Sequence, residues 1–287
     1  MTPRVAVITG ASRGIGFETA KHLASQGWDL ALCARDEALV GAVANAIQSE
    51  FAIRCVGFGV DVVDQTQMTK FANRSQELLG NAGVLICNAG VLGPLGKLTD
   101  INLDDFRATL DTNLFGVTNT ICAFSNQLET LSSSRIIALS GGGLGGPNPI
   151  NRAPAYTASK AALLMLAEAI AADLDSTTTT INCIAPGNIP TEFMNSAIQS
   201  GSAIAGKVNY DDAIRRQSIE IGDSLYSYFA LLDYLVSPIA DHINGRILSA
   251  RWDDPEKLEA MRSDNLSPNL FRLRRIDEDL FGEQTNE

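Results

Sequence analysis

Short, nearly continuous apolar runs recur along this chain, each separated from the next by a longer stretch, most with helical spacing. The runs are Val5–Thr9, Leu30–Ala34, Arg54–Val60, Val84–Cys87, Arg135–Leu139, Ile181–Ala185 and Arg246–Ser249. A strand with one wet face alternates polar and apolar residues. Strands apolar throughout are covered on both faces, as in a parallel sheet between two layers of helices. Parallel neighbours need long crossovers, and Ile15–Gln26, Glu37–Glu50, Gln65–Leu79, Leu103–Leu128 and Tyr156–Leu174 have the spacing to supply them as helices. The order predicts an α/β fold, a doubly wound seven-stranded parallel sheet with helices on both faces.

Bulk properties narrow the partners. Hydrophobic residues are 45% and charged residues 19% of the 287, enough apolar material for one large core. A net charge of −11 argues against a nucleic-acid partner, while leaving room for a local arginine pocket around an anionic cofactor. The five cysteines are scattered without a CxxC pair and there are two histidines, so no metal site is expected. They read as small buried hydrophobes of a reduced, cytoplasmic protein. No signal-peptide layout opens the chain, and no apolar run approaches the roughly 20 residues that cross a bilayer, so no membrane partner is expected.

Two regions break the rhythm. Gly141–Pro154 is dense in Gly, Pro and Asn and reads as a long loop. Asn188–Pro238 is an insertion of mostly helical pattern, a natural substrate lid. The expected division is a catalytic domain over 1–250, its lid at about 188–238, and a charged extension over 251–287. That extension packs on the body or on a neighbouring subunit through Trp252, Leu266, Leu270, Phe271 and Leu273.

The first apolar run leads into Thr9-Gly10-Ala11-Ser12-Arg13-Gly14-Ile15-Gly16 and then a helix. Glycines at such a turn let the backbone approach a pyrophosphate, which the free N–H groups and positive end of the helix then hold. At the first strand-to-helix turn of a βαβ unit this is the Rossmann-like dinucleotide signature. The second run ends Ala34-Arg35-Asp36. An acid closing this strand suits the ribose hydroxyls of NAD, and an arginine suits the 2′-phosphate of NADP. Arg35 holds the strand end and Arg13 sits in the glycine loop, which puts NADP(H) ahead of NAD(H). Asp61, followed by Val62, either meets the adenine or caps the next helix.

With these pieces, the chain over about residues 4–250 resembles the short-chain dehydrogenase/reductase family. The resemblance rests on the glycine loop, Asp61, Asn88-Ala89-Gly90, Asn113, Tyr156-Thr157-Ala158-Ser159-Lys160, and Pro186-Gly187 leading to Thr191, all in order. It implies that Asn88, Ala89 and Gly90 shape the cofactor pocket and that Asn113 anchors a proton relay to Lys160. It also implies that Pro186, Gly187, Ile189 and Thr191 run along the nicotinamide. Tyr156 and Lys160 stand four apart, on one helical face. A phenol titrates near pH 10, and a neighbouring ammonium with the positive nicotinamide ring would favour its phenolate. Tyr156 then serves as acid or base toward a carbonyl or alcohol, and Lys160 also bonds the nicotinamide ribose.

One position departs from the family pattern. The fifth strand usually ends in two small hydroxyl residues, the second of which polarises the substrate carbonyl. Here Ser140 matches the first, and Gly141 falls where the catalytic serine is expected. Either Ser140 takes the role, Asn148 or Asn151 replaces it, or carbonyl reduction is impaired. The triple glycine and the C-terminal stretch are similar to a subgroup associated with bacterial polysaccharide and nucleotide-sugar genes, implying a keto-sugar or sugar nucleotide. The alternatives are a smaller ketone, an acyl thioester, or a cofactor-binding scaffold with feeble catalysis. The family also implies a homodimer or homotetramer paired through Leu103–Leu128 and Tyr156–Leu174.

Overall fold

The expected strands form a single sheet. They are β1 (Val5–Thr9), β2 (Asp29–Ala34), β3 (Cys55–Gly59), β4 (Val84–Cys87), β5 (Ser134–Leu139), β6 (Thr179–Ala185) and β7 (Arg246–Ser249). All neighbours are parallel, in the order β3-β2-β1-β4-β5-β6-β7. The computed structural model describes residues 4–141, 150–174, 179–187, 189, 192–216, 221–264, 267 and 269–274. The chain winds outward from β1 to β3, then crosses back to β4 on the other side of β1. The connections leaving β1 and β4 therefore diverge, and a crevice opens above the carboxyl ends of these strands.

The side-chain alternation along each strand feeds two separate cores. Ala6, Ile8, Leu30 and Leu32 face one way, toward α1 (Gly14–Ser25) and α2 (Glu37–Phe51). Val5, Val7, Ala31 and Cys33 face the other. There they meet α3 (Gln65–Leu79), α5 (Gly116–Glu129) and α6 (Pro154–Asp173). Aspartates start two of these helices in the usual way. Asp36 accepts from Leu39 N–H at the head of α2, and Asp64 accepts from Gln67 N–H at the head of α3. The cap of α3 is therefore Asp64, not Asp61.

The helix expected over Leu103–Leu128 is two helices. α4 (Leu103–Leu110) runs into a π-turn, Asp111–Phe115, before α5 begins. The wider turn, with Gly116 N–H reaching Asp111 O, re-aims Asn113 inward, and that residue is fully buried.

The stretch 188–238 also holds two kinds of helix. α7 (Glu192–Ala205) and α8 (Lys207–Arg216) carry exposed Ile204, Val208 and Ile214. α9 (Ile221–Val236) instead buries Leu225, Tyr228, Leu231, Leu232 and Leu235 in the first core. Tyr228 Oη bonds Thr19 Oγ1 at 3.1 Å, and Asp233 takes hydrogen bonds from Gln26 and His22 on or beside α1. After β7, α10 (Pro255–Ala260) leads into an extension that folds back along the sheet edge. Ile247 N–H donates to Phe271 O at 2.8 Å, Arg246 reaches the carbonyls of Ser267 and Leu270, and Arg274 grips Glu168 of α6 with both nitrogens. Phe271 and Leu273 each pack on a core, whereas Trp252 is 71% exposed, and Leu266 lies outside the described residues.

Candidate active site

The carboxyl edge of the sheet collects the residues singled out in the sequence. Gly10 has φ 65° and Gly14 φ 59°, conformations that glycine adopts without strain. The other constraint is space. A Cβ on Gly16 would stand 2.5 Å from Asn88 Nδ2, and one on Gly10 would stand 2.9 Å from Ala89 Cα. Above Gly14 there is nothing within 4 Å of a Cβ, so this backbone opens outward as a cradle. Ser12 is half-buried, Arg13 is exposed at the position before α1, and Ile15 packs on the core. The loop is stitched to the turn after β4. Asn88 Nδ2 donates to the carbonyls of Thr9 at 2.8 Å and Gly10 at 3.0 Å, while Thr9 Oγ1 accepts from the N–H groups of Asn88 and Ala89.

At the end of β2, Asp36 spends one carboxylate oxygen on its helix cap, and Arg35 is exposed beside it. Asp61 accepts from Val63 N–H and its own N–H is held by Gln67. Asn119 of α5 fixes this corner by donating to the carbonyls of Val62 and Val63, both at 3.0 Å. Val62 itself is buried.

Tyr156 and Lys160 stand on one face of α6, both buried. Lys160 Nζ donates to Leu139 O at 2.6 Å. A Cβ on Gly90 would lie 3.2 Å from Asn113 Oδ1 and 3.7 Å from Lys160 Nζ, so Gly90 separates the two. The Asn113 amide is committed elsewhere: Oδ1 accepts from Val91 N–H at 2.8 Å, and Nδ2 donates to Val91 O and Ser159 Oγ, both at 2.9 Å. Ser159 in turn donates to Tyr156 O. Gly141 lies directly against the phenol. A Cβ there would overlap the Tyr156 hydroxyl and stand 2.8 Å from Cζ. Ser140 is 5% exposed, and its buried Oγ has no hydrogen-bond partner among the described residues.

The protonation balance differs from the sequence expectation. Burial pushes the Tyr156 phenol up to about 12 and pulls the Lys160 ammonium down to about 8. Lys160 alone therefore does not lower the phenol. Pro186 and Gly187 (φ 91°) follow β6 on the same edge, Ile189 is buried in the first core, and Thr191 and Asn148 lie outside the described residues. The sequence reading missed Thr9, Asn119 and Ser159. Thr9 closes a strand beside the glycine loop and Ser159 adjoins Lys160, a positional hint in each case, and for Asn119 there was no signal.

Comparison with known proteins decides the family. The family model described as short chain dehydrogenase matches residues 4–201. The chain is a short-chain dehydrogenase/reductase. As such it is an NAD(P)-dependent oxidoreductase that moves a hydride between nicotinamide and a CH–OH or C=O group of a small molecule. This short-chain dehydrogenase is 32% identical over 204 residues to a 3-oxoacyl-(acyl-carrier-protein) reductase of Synechocystis, covering 67% of this chain and 77% of that one. Among solved structures, its fold is similar to L-sorbose reductase from Gluconobacter frateurii complexed with NADPH and L-sorbose. The TM-score is 0.73 at 22% identity, covering 87% of this chain and 95% of that one. It is equally similar to an NAD+-bound xylitol dehydrogenase, with a TM-score of 0.74 at 22% identity, covering 86% and 97% of the two chains.

Proposed function

We propose that this enzyme uses NADP(H) in preference to NAD(H), with Tyr156 as the proton donor and acceptor. The observation that carries the cofactor reading is the end of β2. The acid that would hold a ribose diol is committed to capping α2, and exposed Arg35 is left to meet a 2′-phosphate with Arg13 across the loop. The residues present fit a dinucleotide: the cradle at Gly10, Ser12, Gly14, Ile15 and Gly16 for the pyrophosphate, and Asp61 with Val62 toward the adenine. Asn88, Ala89, Gly90, Pro186, Gly187 and Ile189 border the nicotinamide half; Thr191, outside the described residues, is assigned there by the family pattern alone.

When bound, the nicotinamide would supply or accept the hydride, and in its oxidised form its positive charge would supply the pull on the phenol that Lys160 alone does not. Tyr156 gives its proton to the substrate oxygen in reduction and takes it back in oxidation. Lys160 returns that proton and holds the ribose. Asn113 acts through the π-turn backbone, since its amide is already committed. Ser140, with its unpartnered hydroxyl, is the remaining side chain for polarising the carbonyl. α7 and α8 form the lid, within a catalytic body that ends near residue 250. The substrate we favour is a keto-sugar or sugar nucleotide. The Synechocystis relative supports an acyl thioester as the second reading. Exposed Leu103, Phe115 and Met165 on α4, the π-turn and α6 support pairing of copies through these elements.

The test is a fluorescence titration with NADPH and NADH on the wild type and Arg35→Ala. NADPH binding should exceed NADH binding and fall at least about tenfold in the variant, as loss of a charge-assisted phosphate contact requires. Equal affinities unaffected by the variant would remove the NADP reading. Loss of binding to both nucleotides in the wild type would remove the enzymatic reading of the cradle.

A further inference from the structure

Tyr156 is the third residue of α6, so the direction in which that helix starts decides where the phenol points. The start is not fixed locally. Ala153, the residue before the helix, provides no side-chain cap among the described residues, and Pro154 at the first position has no N–H to bond. The aim of α6 therefore depends on the turn at Asn151 and Arg152.

That turn is strained and held from two sides. Arg152 has φ 61°, the left-handed region that disfavours a residue with a Cβ and that glycine adopts freely. Two hydrogen bonds fall on consecutive carbonyls. Gly96 N–H donates to Arg152 O at 2.9 Å, and Asn209 Nδ2 donates to Asn151 O at 2.6 Å. The first comes from the loop after β4, which Asn113 grips at Val91 on the fixed side of the site. The second comes from α8. Strain of this kind persists only where the surroundings impose it.

The α8 end of this contact suits a seat that can open and close. Asn209 Nδ2 also donates to Ala205 O at 2.9 Å, so one side chain bridges the end of α7, the start of α8 and the turn. Gly206, between the two helices, has φ 81° and lies close against Arg152, where a Cβ would stand 3.2 Å from Cγ. The apolar part of the seat is thin. Ala197, Ala205 and Ala213 form it with Ile198, against Leu95 of the loop after β4. Alanines bury little surface, so this seat is far weaker than the leucine-rich face of α9, and a single hydrogen bond weighs more in it.

We propose that Asn209 is a positioning residue for the reaction. By closing on Asn151 it holds the strained turn that aims α6, and so ties the seating of α7 and α8 to the placement of the Tyr156 phenol. With the lid lifted, Arg152 relaxes out of the left-handed region, the bond from Gly96 is lost and the first turn of α6 loosens. The proposal rests on the reading of Tyr156 as proton donor and of α7 and α8 as the lid.

The experiment is amide hydrogen exchange, residue by residue, at Gly96 and at Thr157, whose N–H bonds Ala153 O at 3.0 Å in the first turn of α6. Asn209→Ala should lower protection at both at least about tenfold while the amides of α5 stay protected, which shows the body intact. Asn209→Asp, near-isosteric but without the N–H, should do the same. Adding Arg152→Gly to Asn209→Ala should restore protection, because glycine holds the turn without the bond. A loss of packing at α8 would not be repaired at 152. With D-fructose as a probe keto-sugar, kcat should follow the same pattern, down about tenfold in Asn209→Ala and recovered in the double variant, with a smaller change in KM. Unchanged protection in the Asn209 variants, or a loss that Arg152→Gly does not repair, would overturn the proposal. So would a raised KM at constant kcat, which would leave the lid as a substrate cover alone. Wild-type turnover in Tyr156→Phe would instead remove the proton-donor reading, with the exchange pattern still standing.

Discussion

Gly141 fixes how closely Tyr156 can approach the end of β5. The phenol occupies the space that a side chain at 141 would fill, so the family's usual serine does not fit here without displacing the tyrosine. Restoring that residue should therefore harm the enzyme. Gly141→Ser is expected to lower kcat by about tenfold or more with a smaller change in KM, as a reacting group displaced from its productive geometry would. A variant as active as the wild type in steady-state assays would show that Tyr156 re-seats freely. Lys160 makes a second residue-scale expectation through its burial. Its folded-state pKa, about 8, lies below the ordinary lysine value of 10.5, so the unfolded chain binds the proton more readily. Stability is then lost as pH falls from about 10.5 to about 8 and is flat below that. Lys160→Met removes the buried ammonium. It should be more stable at pH 7 by on the order of 2 kcal/mol, offset in part by the lost bond to Leu139 O. That gain should fade as the pH of urea melts is raised toward 10.5. A gain independent of pH would mean that packing, not charge, is responsible.

At the scale of elements, the apolar runs located every strand to within two residues, because strands buried on both faces leave an unbroken signal. The ends were less legible. The extra residues of β6, Thr179 and Thr180, are polar-edged and pair only because Ser134 and Arg135 lie opposite. The π-turn was invisible, since Leu103–Leu128 keeps helical spacing across it and only the bond from Gly116 to Asp111 distinguishes the two helices. α9 was grouped with the lid for a similar reason. Leu225, Tyr228, Leu231, Leu232 and Leu235 show an apolar face, but spacing alone does not say whether that face meets a substrate or the sheet. The site divides the same way. Gly10, Gly16, Tyr156 and Lys160 were legible because backbone approach and i,i+4 geometry are local. Thr9, Asn119 and Ser159 act on partners 46 to 80 residues away; position beside a motif hints at Thr9 and Ser159, and nothing in the neighbourhood of Asn119 announces its role.

Across the whole molecule, the sheet ends differ in exposure. β7 is the outermost strand, and its Ile247 N–H is taken by the chain's own extension, which Arg274 fastens to Glu168 on α6. An uncovered edge strand is a template for another chain. Deleting residues 267–287 should therefore leave β7 open and raise the apparent mass in size-exclusion chromatography in a concentration-dependent way. Full-length protein should stay at one assembly size over the same range, and a truncated chain that behaves identically would show the extension to be dispensable for this edge. The stitching of the glycine loop to the turn after β4 bears on descent rather than assembly. Gly10, Gly16, Thr9, Asn88 and Ala89 fill one another's space and hydrogen bonds, so altering any one misfits at least one other. Such a cradle is inherited as a block, while the exposed faces of α7 and α8 are bound by no such interlock and can drift toward new substrates residue by residue.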